Sequence, residues 1–252
     1  NYPDGIRIEE YKGNTFTAHI MVIKDPSRVS LGASYNYNGS NASGFSTSNP
    51  GVRVNQVMDN YPEVTAVINA GAFNDDGTAN ATVGSVPAGL TVSGGKVVSD
   101  QYKDLVPEKG FAGFNTDDVL VVAQSMTSAQ AMEQNIRDGC EFGPVLIING
   151  EVNQGVYSGN SGYNPRTAIG QRQDGAVIFV CADGRQAGSI GATYKDIIDI
   201  MQEYGAYNAC NMDGGSSTIM YYRDTTGTVN RINSYSVLQS EPRRMPDFWM
   251  VK

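Results

Sequence analysis

The chain has 252 residues and a formal net charge of -8, with 40% hydrophobic and 17% charged residues. This length suits one large domain or two small ones, with a sizeable core. The low charge, with 29 glycines and 14 tyrosines, favours a loop-rich protein containing β-sheet over a helical bundle. The negative balance, without a Lys/Arg stripe, argues against nucleic acid as a partner. No run of about 20 apolar residues predicts direct membrane insertion.

The first 60 residues predict two strands, a loop and a short helix. Alternating residues indicate the strands, and an Asn-, Ser- and Gly-rich composition indicates a mobile surface loop or lid. Pro50 in the first turn, preceded by Ser48 or Asn49 as the cap, favours the helix. The predicted ranges are 2–11 and 15–24 for the strands, 35–49 for the loop and 50–60 for the helix.

The middle of the chain reads as a buried strand, a small-residue loop, sheet hairpins and a helix. The loop after the strand suits ligand binding, and its alternative is a β-turn with Asp76-Gly77 at the tip. The helix is capped by Thr127, which forms a capping box with Gln130, and is stopped by Gly139. The ranges are 64–68 for the strand, 69–77 for the loop, 90–92, 96–98, 111–114 and 119–123 for the hairpin strands, and 127–137 for the helix.

The second half predicts further strands around one strong helix. Thr193 caps that helix and Gly205 ends it, while Asn149-Gly150 and Asp174-Gly175 are typical of tight hairpin turns. The strands are expected over 143–152, 166–170, 176–181, 219–222 and 247–251, and the helix over 193–204.

No internal repeat, biased linker or regular βαβ rhythm divides the chain. The simplest fold class is therefore α+β: a single domain with a mixed, mostly antiparallel sheet core and a few packed helices. Residues 1–60 are assigned to the same domain as a core over 61–252.

Three cysteines and one histidine restrict the chemistry that the chain offers. Cys140, Cys181 and Cys210 form no C-x-x-C pair, so a zinc site or redox motif is not expected. Buried free thiols are the simplest interpretation, with one disulfide and one spare thiol as the alternative. His19 lies in an alternating run and is interpreted as an ordinary strand residue. Acid–base chemistry then falls to Asp, Glu, Lys, Tyr or Cys.

Polar loops follow buried strands or a helix at four places, where rigid elements can position binding groups. In the last of them, Asp213 precedes two glycines and three hydroxyls. The glycines permit close backbone approach to a ligand, and the N–H and hydroxyl groups can hold an anion or a sugar. The alternative is a tight turn with Asp213 as turn former. The four loops are 69–76, 160–167, 183–185 and 211–218.

Five short motifs follow one another along the chain: NAGAF at 69–73, GPVL at 143–146, NPRTA at 164–168, DGR at 183–185 and NMDGGSS at 211–217. Their order resembles the phosphodiester glycosidase family over roughly residues 60–252. Asn164 stands where that family commonly has histidine, Ala70 and Ala72 replace a glycine and an aromatic residue, and one glycine is missing before Ser216.

The resemblance implies cleavage between a sugar's anomeric carbon and a phosphodiester. Arg166 and Arg185 are then the candidate phosphate ligands, since a guanidinium matches phosphate bidentately. Asp213 and Asp183 are the candidate catalytic carboxylates. The groups expected to contact the substrate are Asn69, Gly71, Thr167, Asn211, Gly214, Gly215, Ser216, Ser217 and Thr218.

Several alternatives stay open at this point. Arg166 and Asp183 could form a structural ion pair, Asp183 could serve only a turn, and Asp213 could ligate Ca²⁺ or another divalent cation; no metal site is assigned. The expected partner is a sugar-phosphodiester or glycan. A non-catalytic glycan or phosphopolymer binder and an envelope polysaccharide biogenesis protein are the alternative functions. An extracellular or cell-envelope location is expected from the resemblance and from a first residue, Asn1, that is not methionine.

Overall fold

The computed structural model describes residues 3–39, 43–74, 83–237 and 239–252. This part of the chain forms three β-sheets with helices packed on their outer faces. The strands are β1 (Ile6–Lys12), β2 (Thr17–Ile23), β3 (Val29–Ala33), β4 (Ala66–Asn69), β5 (Gly89–Ser93), β6 (Lys96–Gln101), β7 (Phe111–Asn115), β8 (Leu120–Ala123), β9 (Ile136–Glu141), β10 (Val145–Ile148), β11 (Glu151–Val152), β12 (Arg166–Arg172), β13 (Val177–Ala182), β14 (Ala206–Met212), β15 (Met220–Arg223), β16 (Val229–Arg231) and β17 (Asp247–Val251). The α-helices are α1 (Val54–Asn60), α2 (Ser128–Glu133), α3 (Gln154–Tyr157) and α4 (Tyr194–Glu203).

The sheets confirm the predicted α+β class. A seven-stranded sheet has the order β1-β2-β13-β12-β14-β10-β11, and two five-stranded sheets have the orders β16-β15-β4-β17-β3 and β6-β5-β9-β7-β8. The pairings between the described strands are antiparallel throughout. The first strands are integral to this arrangement, because β2 pairs with β13 and β3 with β17.

One apolar core joins all three sheets. Phe179 and Met212 reach it from the large sheet, Trp249 from the second and Phe114 from the third. The Phe114 and Trp249 rings meet edge to face with centroids 5.7 Å apart, a favoured aromatic geometry. The opposite face of the large sheet is covered by α4, whose Ile197, Ile200 and Met201 are fully buried. The large sheet is therefore buried on both faces, which fixes the position of its strand ends.

Local signals in the second half of the chain are confirmed. Thr193 caps α4 and forms the capping box with Asp196, so two backbone donors at the helix start are satisfied. Asn149 and Gly150 have φ angles of 51° and 82°, as a type I′ hairpin turn requires. The three cysteines are buried free thiols.

The predicted helix over 50–60 is wrong in its first turn. The helix α1 begins at Val54, and its N-cap is Arg53 without a side-chain capping bond. The residues just before Val54 pair with distant segments and are therefore not helical. Gly51 N–H donates to Val83 O at 2.7 Å, and Val52 forms a β-bridge with Met245. The proposed capping by Ser48 or Asn49 therefore does not occur.

The predicted helix over 127–137 is too long. Thr127 caps α2 with the expected capping box, but the helix ends at Glu133. Strand β9 then includes Gly139, which lies opposite Gly113 on β7. A Cβ on Gly139 would lie 2.5 Å from Phe111 Cζ, so this glycine serves close strand packing and does not stop a helix.

Two of the predicted loops lie wholly or partly outside the described residues. The Asp76-Gly77 turn lies outside the described residues, as does part of the predicted lid at 40–42. Among the helices of the described residues, none is long and apolar enough to cross a membrane.

Candidate functional site

Strand ends from two sheets meet at one edge of the fold. Because β12 runs antiparallel to both neighbours, its first residue, Arg166, lies opposite the last residue of β13, Ala182. Thr167 lies opposite Met212, where β14 ends. In the second sheet, Phe248 lies opposite Asn69, which is the last residue of β4. The loops that leave these strands therefore converge, as their polar composition indicated.

Asn69 links the two sheets at this edge. Thr167 Oγ1 donates to Asn69 Oδ1 at 2.7 Å, and Asn69 Nδ2 donates to the backbone O of Asp213 at 2.6 Å. Ile219 N–H also donates to Asn69 Oδ1. Asn69 and Thr167 are both buried. The structure thus brings these two candidates together, but their side chains hold the loop of Asp213 in place.

Two glycines allow the Asp213 loop to pack closely against the start of β12. A Cβ on Gly214 would lie 2.7 Å from Pro165 O. Gly215 has a φ of 60° and donates its N–H to the same carbonyl at 2.9 Å. Residues with a side chain would be excluded or strained here. Within the loop, Asp213 Oδ1 accepts a bond from Gly214 N–H at 2.8 Å.

The hydroxyls and the amide of this loop are mostly turned inward. Ser216 is half-buried and its carbonyl accepts a bond from Gln239 Nε2. Ser217 and Thr218 are buried. Asn211 Nδ2 donates to Gly143 O and Met212 O. Among the described residues, Asn211 Oδ1 and Thr218 Oγ1 are buried without a hydrogen-bond partner.

A small cavity of about 140 Å³ opens beside the loop. Asp213 and Arg243 supply its charged groups. The Arg243 guanidinium lies 5.0 Å from the Phe73 ring centroid, and its Nη1 donates to Ser217 Oγ at 3.4 Å. One acidic and one basic residue therefore line a cavity whose other lining residues are apolar. The complete lining is Ala72, Phe73, Leu105, Pro107, Phe142, Asp213 and Arg243.

Arg243 was missed by the sequence analysis. It stands in a segment without turn motif or strand period, and the available signal is the Arg243-Arg244 pair shortly before β17. Such a pair is as common on a solvated surface as in a site. Its place beside Asp213 depends on the path of a chain segment some 30 residues downstream of the loop.

Asp247, at the start of β17, was also missed. It is 1% exposed, and its Oδ1 accepts the N–H of Gly71 at 3.0 Å. Burial raises its pKa to about 7, the Gly71 N–H opposes this, and the charge of Asp213 raises it further. The sequence signal was a lone carboxylate in an otherwise apolar strand. Raised carboxyl pKa values next to a second carboxylate are typical of functional sites.

Asp183, unlike Asp213, is buried, and hydrogen bonds hold its side chain. It is 4% exposed, and both carboxylate oxygens have protein partners. Oδ1 accepts Ser234 N–H at 2.9 Å, and Oδ2 lies 3.3 Å from His19 Nε2. Ser189 Oγ donates to its backbone carbonyl. His19 is a strand residue, as predicted, but it also orients this carboxylate across 164 positions of sequence.

Arg166 does not pair with Asp183 in the described structure, so that alternative is wrong. Its Nε donates to Ala192 O, and its Nη2 donates to Ser161 O at 2.8 Å and to Gly162 O. The guanidinium carbon lies 4.0 Å from the Tyr194 ring centroid. Burial lowers its pKa. Through these contacts, the Arg166 side chain fixes the conformation of the loop that precedes β12.

Arg185 lies at the exposed rim of the same loop cluster. Its Nη2 donates to Asn164 Oδ1 at 3.0 Å. Its two terminal nitrogens would lie 3.2 Å from a Cβ on Gly215. The guanidinium is thus next to the Asp213 loop, and its partner Asn164 is the first residue of the NPRTA motif just before β12.

The calcium alternative at Asp213 stays a prediction. In the described ranges, no group of three or more His, Cys, Asp or Glu side chains lies close enough to hold a metal ion. A calcium site there would have to draw on backbone carbonyls and water, which hard cations accept.

A family comparison matches this set of strand-end loops. The model for phosphodiester glycosidases matches residues 62–252. The chain belongs to the phosphodiester glycosidase family. The matched region includes Asp247 and all residues that line the cavity.

Solved structures show the same fold. The catalytic domain of zebrafish N-acetylglucosamine-1-phosphodiester alpha-N-acetylglucosaminidase, auto-inhibited by its pro-peptide, is 18% identical, with a TM-score of 0.70 over 98% of this chain and 81% of that one. A hypothetical protein from Synechocystis is 15% identical, with a TM-score of 0.60 over 100% of this chain and 63% of that one. At these identities the similarity concerns the fold alone.

A curated relative matches a short part of the chain. The SPbeta prophage-derived uncharacterized protein YomE of Bacillus subtilis is 42% identical over 55 residues, which are 22% of this chain and 8% of that protein. The match therefore spans less than a tenth of the relative's length and carries no activity to this chain.

Proposed function

We propose that the chain is a hydrolase of the phosphodiester glycosidase type, which cleaves the bond between a sugar's anomeric carbon and a phosphodiester oxygen. The observation that carries this proposal is the shared cavity of Asp213 and Arg243. One carboxylate and one guanidinium match the two parts of such a substrate, a carbon that becomes cationic and a phosphate that leaves as an anion.

The chemistry assigns a role to each group. Water adds to the anomeric carbon, the C1–O bond breaks, and the phosphate leaves as a monoester with its bridging oxygen. Asp213 stabilises the oxocarbenium-like transition state, either directly or by activating the water. Arg243 stabilises the charge that grows on the phosphate. Because phosphate leaves readily as an anion, the reaction makes little demand on a general acid.

The other candidate residues take different roles, which follow from their contacts. Arg166 is engaged with three backbone carbonyls, so it serves the shape of the loop more than phosphate binding. Asp183 acts as an anchor between His19 and Ser234. Arg185, on the exposed rim, is placed to meet a charged or polar part of the substrate outside the cavity.

The test is release of phosphate-linked sugar. Wild type and Asp213→Asn are incubated with UDP-N-acetylglucosamine and with a sugar 1-phosphodiester, and the free sugar is measured. We expect release by wild type and a loss of about 10²- to 10⁴-fold in the variant, the range for a positioned acid or base. Asp174→Asn is the matched control, since Asp174 is an exposed turn residue paired with Arg172, and it should keep full activity. A chelator arm, with Ca²⁺ restored, decides the calcium alternative.

A non-catalytic glycan or phosphopolymer binder is the second candidate function. The observation in its favour is the set of loop departures, Ala70, Ala72 and Asn164. Saturable binding of a sugar phosphodiester without any release would establish this alternative and contradict the first. Neither binding nor release would favour a role in envelope polysaccharide biogenesis.

The proposed location is extracellular or associated with the cell envelope. Its support is membership of the phosphodiester glycosidase family, from whose resemblance the location was expected. Fractionation of cells that express the full-length protein tests it, and recovery in the cytosol alone would contradict it.

A further inference from the structure

One peptide group connects the two carboxyl residues of the site. The carbonyl of Ala70 accepts the N–H of Asp213 at 3.0 Å. The N–H on the other side of that same peptide bond, from Gly71, donates to Asp247 Oδ1 at 3.0 Å. A single rigid, planar unit is therefore held by the Asp213 backbone on one edge and by the Asp247 carboxyl on the other.

Packing leaves this peptide group little freedom to move. A Cβ on Gly71 would lie 3.0 Å from Cys140 Cβ, 3.1 Å from Glu141 O and 3.4 Å from Asp247 Oδ2. The next residue, Ala72, donates its N–H to Glu141 O at 3.1 Å. The positions of Asp213 and Asp247 relative to each other are thus set by a close-packed segment.

Asp247 is badly placed to carry a charge. It is 1% exposed, and its Oδ2 is buried without a hydrogen-bond partner among the described residues. A buried carboxylate with one hydrogen bond is penalised unless it takes up a proton. Burial raises its pKa to about 7, against the opposing effect of the Gly71 N–H, and the charge of Asp213 adds to the rise.

The surrounding titratable groups leave Asp213 as the relevant neighbour. Cys140 on β9 is fully buried, and burial, followed by the charge of Asp247, raises its thiol pKa well above the usual value, so it stays neutral. The Glu141 carboxylate accepts the N–H of Leu90 at 2.7 Å. No ion pair to Asp247 is formed within the described ranges.

We infer that Asp247 is a positioning residue of the site: a buried carboxylic acid that holds a proton, so that Asp213 carries the negative charge while both residues stay anchored to one peptide group. Two coupled carboxyls then share about one charge near neutral pH. An anionic phosphodiester at Arg243 meets one negative charge instead of two. When Asp247 ionises, the second charge disfavours substrate binding and turnover falls.

The first experiment measures the coupling without any substrate. The side-chain carboxyl signals of the full chain are titrated by ¹³C NMR in wild type, in Asp213→Asn and in Asp138→Asn. Asp138 is a matched control because it is also a buried carboxyl, bonded to Gly94 N–H and Arg137, but it does not contact this peptide group. We expect Asp213→Asn to lower the Asp247 midpoint by up to about one pH unit, because it removes the neighbouring charge but not the burial, and Asp138→Asn to leave it in place. An Asp247 midpoint that is unmoved by Asp213→Asn overturns the inference.

The second experiment rests on the proposed function and measures the pH profile of sugar release. Asp247→Asn keeps an oxygen for the Gly71 N–H and stays neutral at every pH. We expect it to retain turnover near pH 6 within about tenfold and to lose the alkaline limb near pH 7, whereas Asp138→Asn keeps that limb. An equal fall at every pH would mark Asp247 as a structural residue only. If wild type releases no sugar, the proposed function fails, and the NMR titration still decides the coupling.

Discussion

The Asp213 and Asp183 loops begin alike and end in different environments. Both carry Asp-Gly just after a strand of the large sheet, and both strands flank β12. Asp213 is half-buried and lines a cavity. Asp183 is buried, with Ser234 and His19 at its two carboxylate oxygens. The same local sequence thus leads to one aspartate that lines a cavity and one that is buried with hydrogen-bond partners at both carboxylate oxygens.

The difference lies in how far each aspartate is buried. The backbone of Asp213 is fixed on both sides, by its N–H to Ala70 O and by its carbonyl from Asn69 Nδ2, and its Oδ1 accepts the N–H of Gly214. The residue is nevertheless only half-buried and lines the cavity. Asp183 is fixed by its carboxylate. A buried carboxylate with satisfied oxygens stabilises the fold, whereas a group that takes part in catalysis must reach its substrate.

The largest expected effect contrasts the two aspartates directly. We expect Asp213→Asn to lower turnover by about 10²- to 10⁴-fold and to leave the free energy of unfolding within about 1 kcal/mol. Asp183→Asn should retain far more turnover than Asp213→Asn. Turnover of a sugar 1-phosphodiester and urea unfolding of both variants measure this. Equal loss of turnover in the two would break the contrast and return Asp183 to the catalytic set.

The second effect concerns pH and stability at Asp247. Its pKa in the fold, about 7, exceeds the ordinary 3.8, so the folded state binds more protons between these values. Its contribution to stability is complete below about pH 4 and is lost as pH rises through 7. We expect wild type to lose a few kcal/mol relative to Asp247→Asn between pH 5 and pH 8. Urea unfolding at the two pH values tests this, and a constant difference between the proteins would contradict it.

The third effect compares two arginines. Arg243→Gln should lower kcat/KM for a sugar 1-phosphodiester by about 10- to 100-fold, because a charged hydrogen bond to the leaving phosphate is lost. Arg166→Gln should mainly lower the thermal midpoint, since it removes bonds to the carbonyls of Ala192, Ser161 and Gly162. The reverse pattern would restore Arg166 as the phosphate ligand.

The smallest effect measures the Asp183 anchor itself. Asp183→Asn is expected to lower the free energy of unfolding by about 1 to 3 kcal/mol, the cost of disturbing a buried hydrogen-bonded group. His19→Gln should cost less, because its bond to Asp183 is long at 3.3 Å. Chemical unfolding of both, with the double variant, gives their coupling. Fully additive losses would show that the two side chains do not act together.

Much of the fold could be predicted because its signals are local. The capping box of Thr193, the Asn149-Gly150 turn and the alternating strands each depend on neighbours within a few residues. The helix predictions that were wrong involve tertiary competition. Gly139 entered a strand against Gly113, and Val52 was drawn into a bridge with Met245. Long-range pairing overrides local propensity at such positions.

The candidate site was predicted in part for the same reason. Asp213 and its glycines stand in one contiguous motif, so residue order alone pointed to them. Arg243 and Asp247 come from a separate segment that contains none of the motifs on which the family resemblance rests. Their relevance depends on a shared cavity and on one peptide group between two sheets.

The sequence by itself determined the α+β class, the main strands, the capped helix and the loops that carry polar groups, since these follow from periodicity and turn chemistry. Only the tertiary structure decided which carboxylate faces a cavity, which arginine accompanies it and which aspartate is buried beside it. The physical reason is that burial, desolvation and hydrogen-bond partners are set by residues far away in the chain, such as His19 for Asp183 and Gly71 for Asp247.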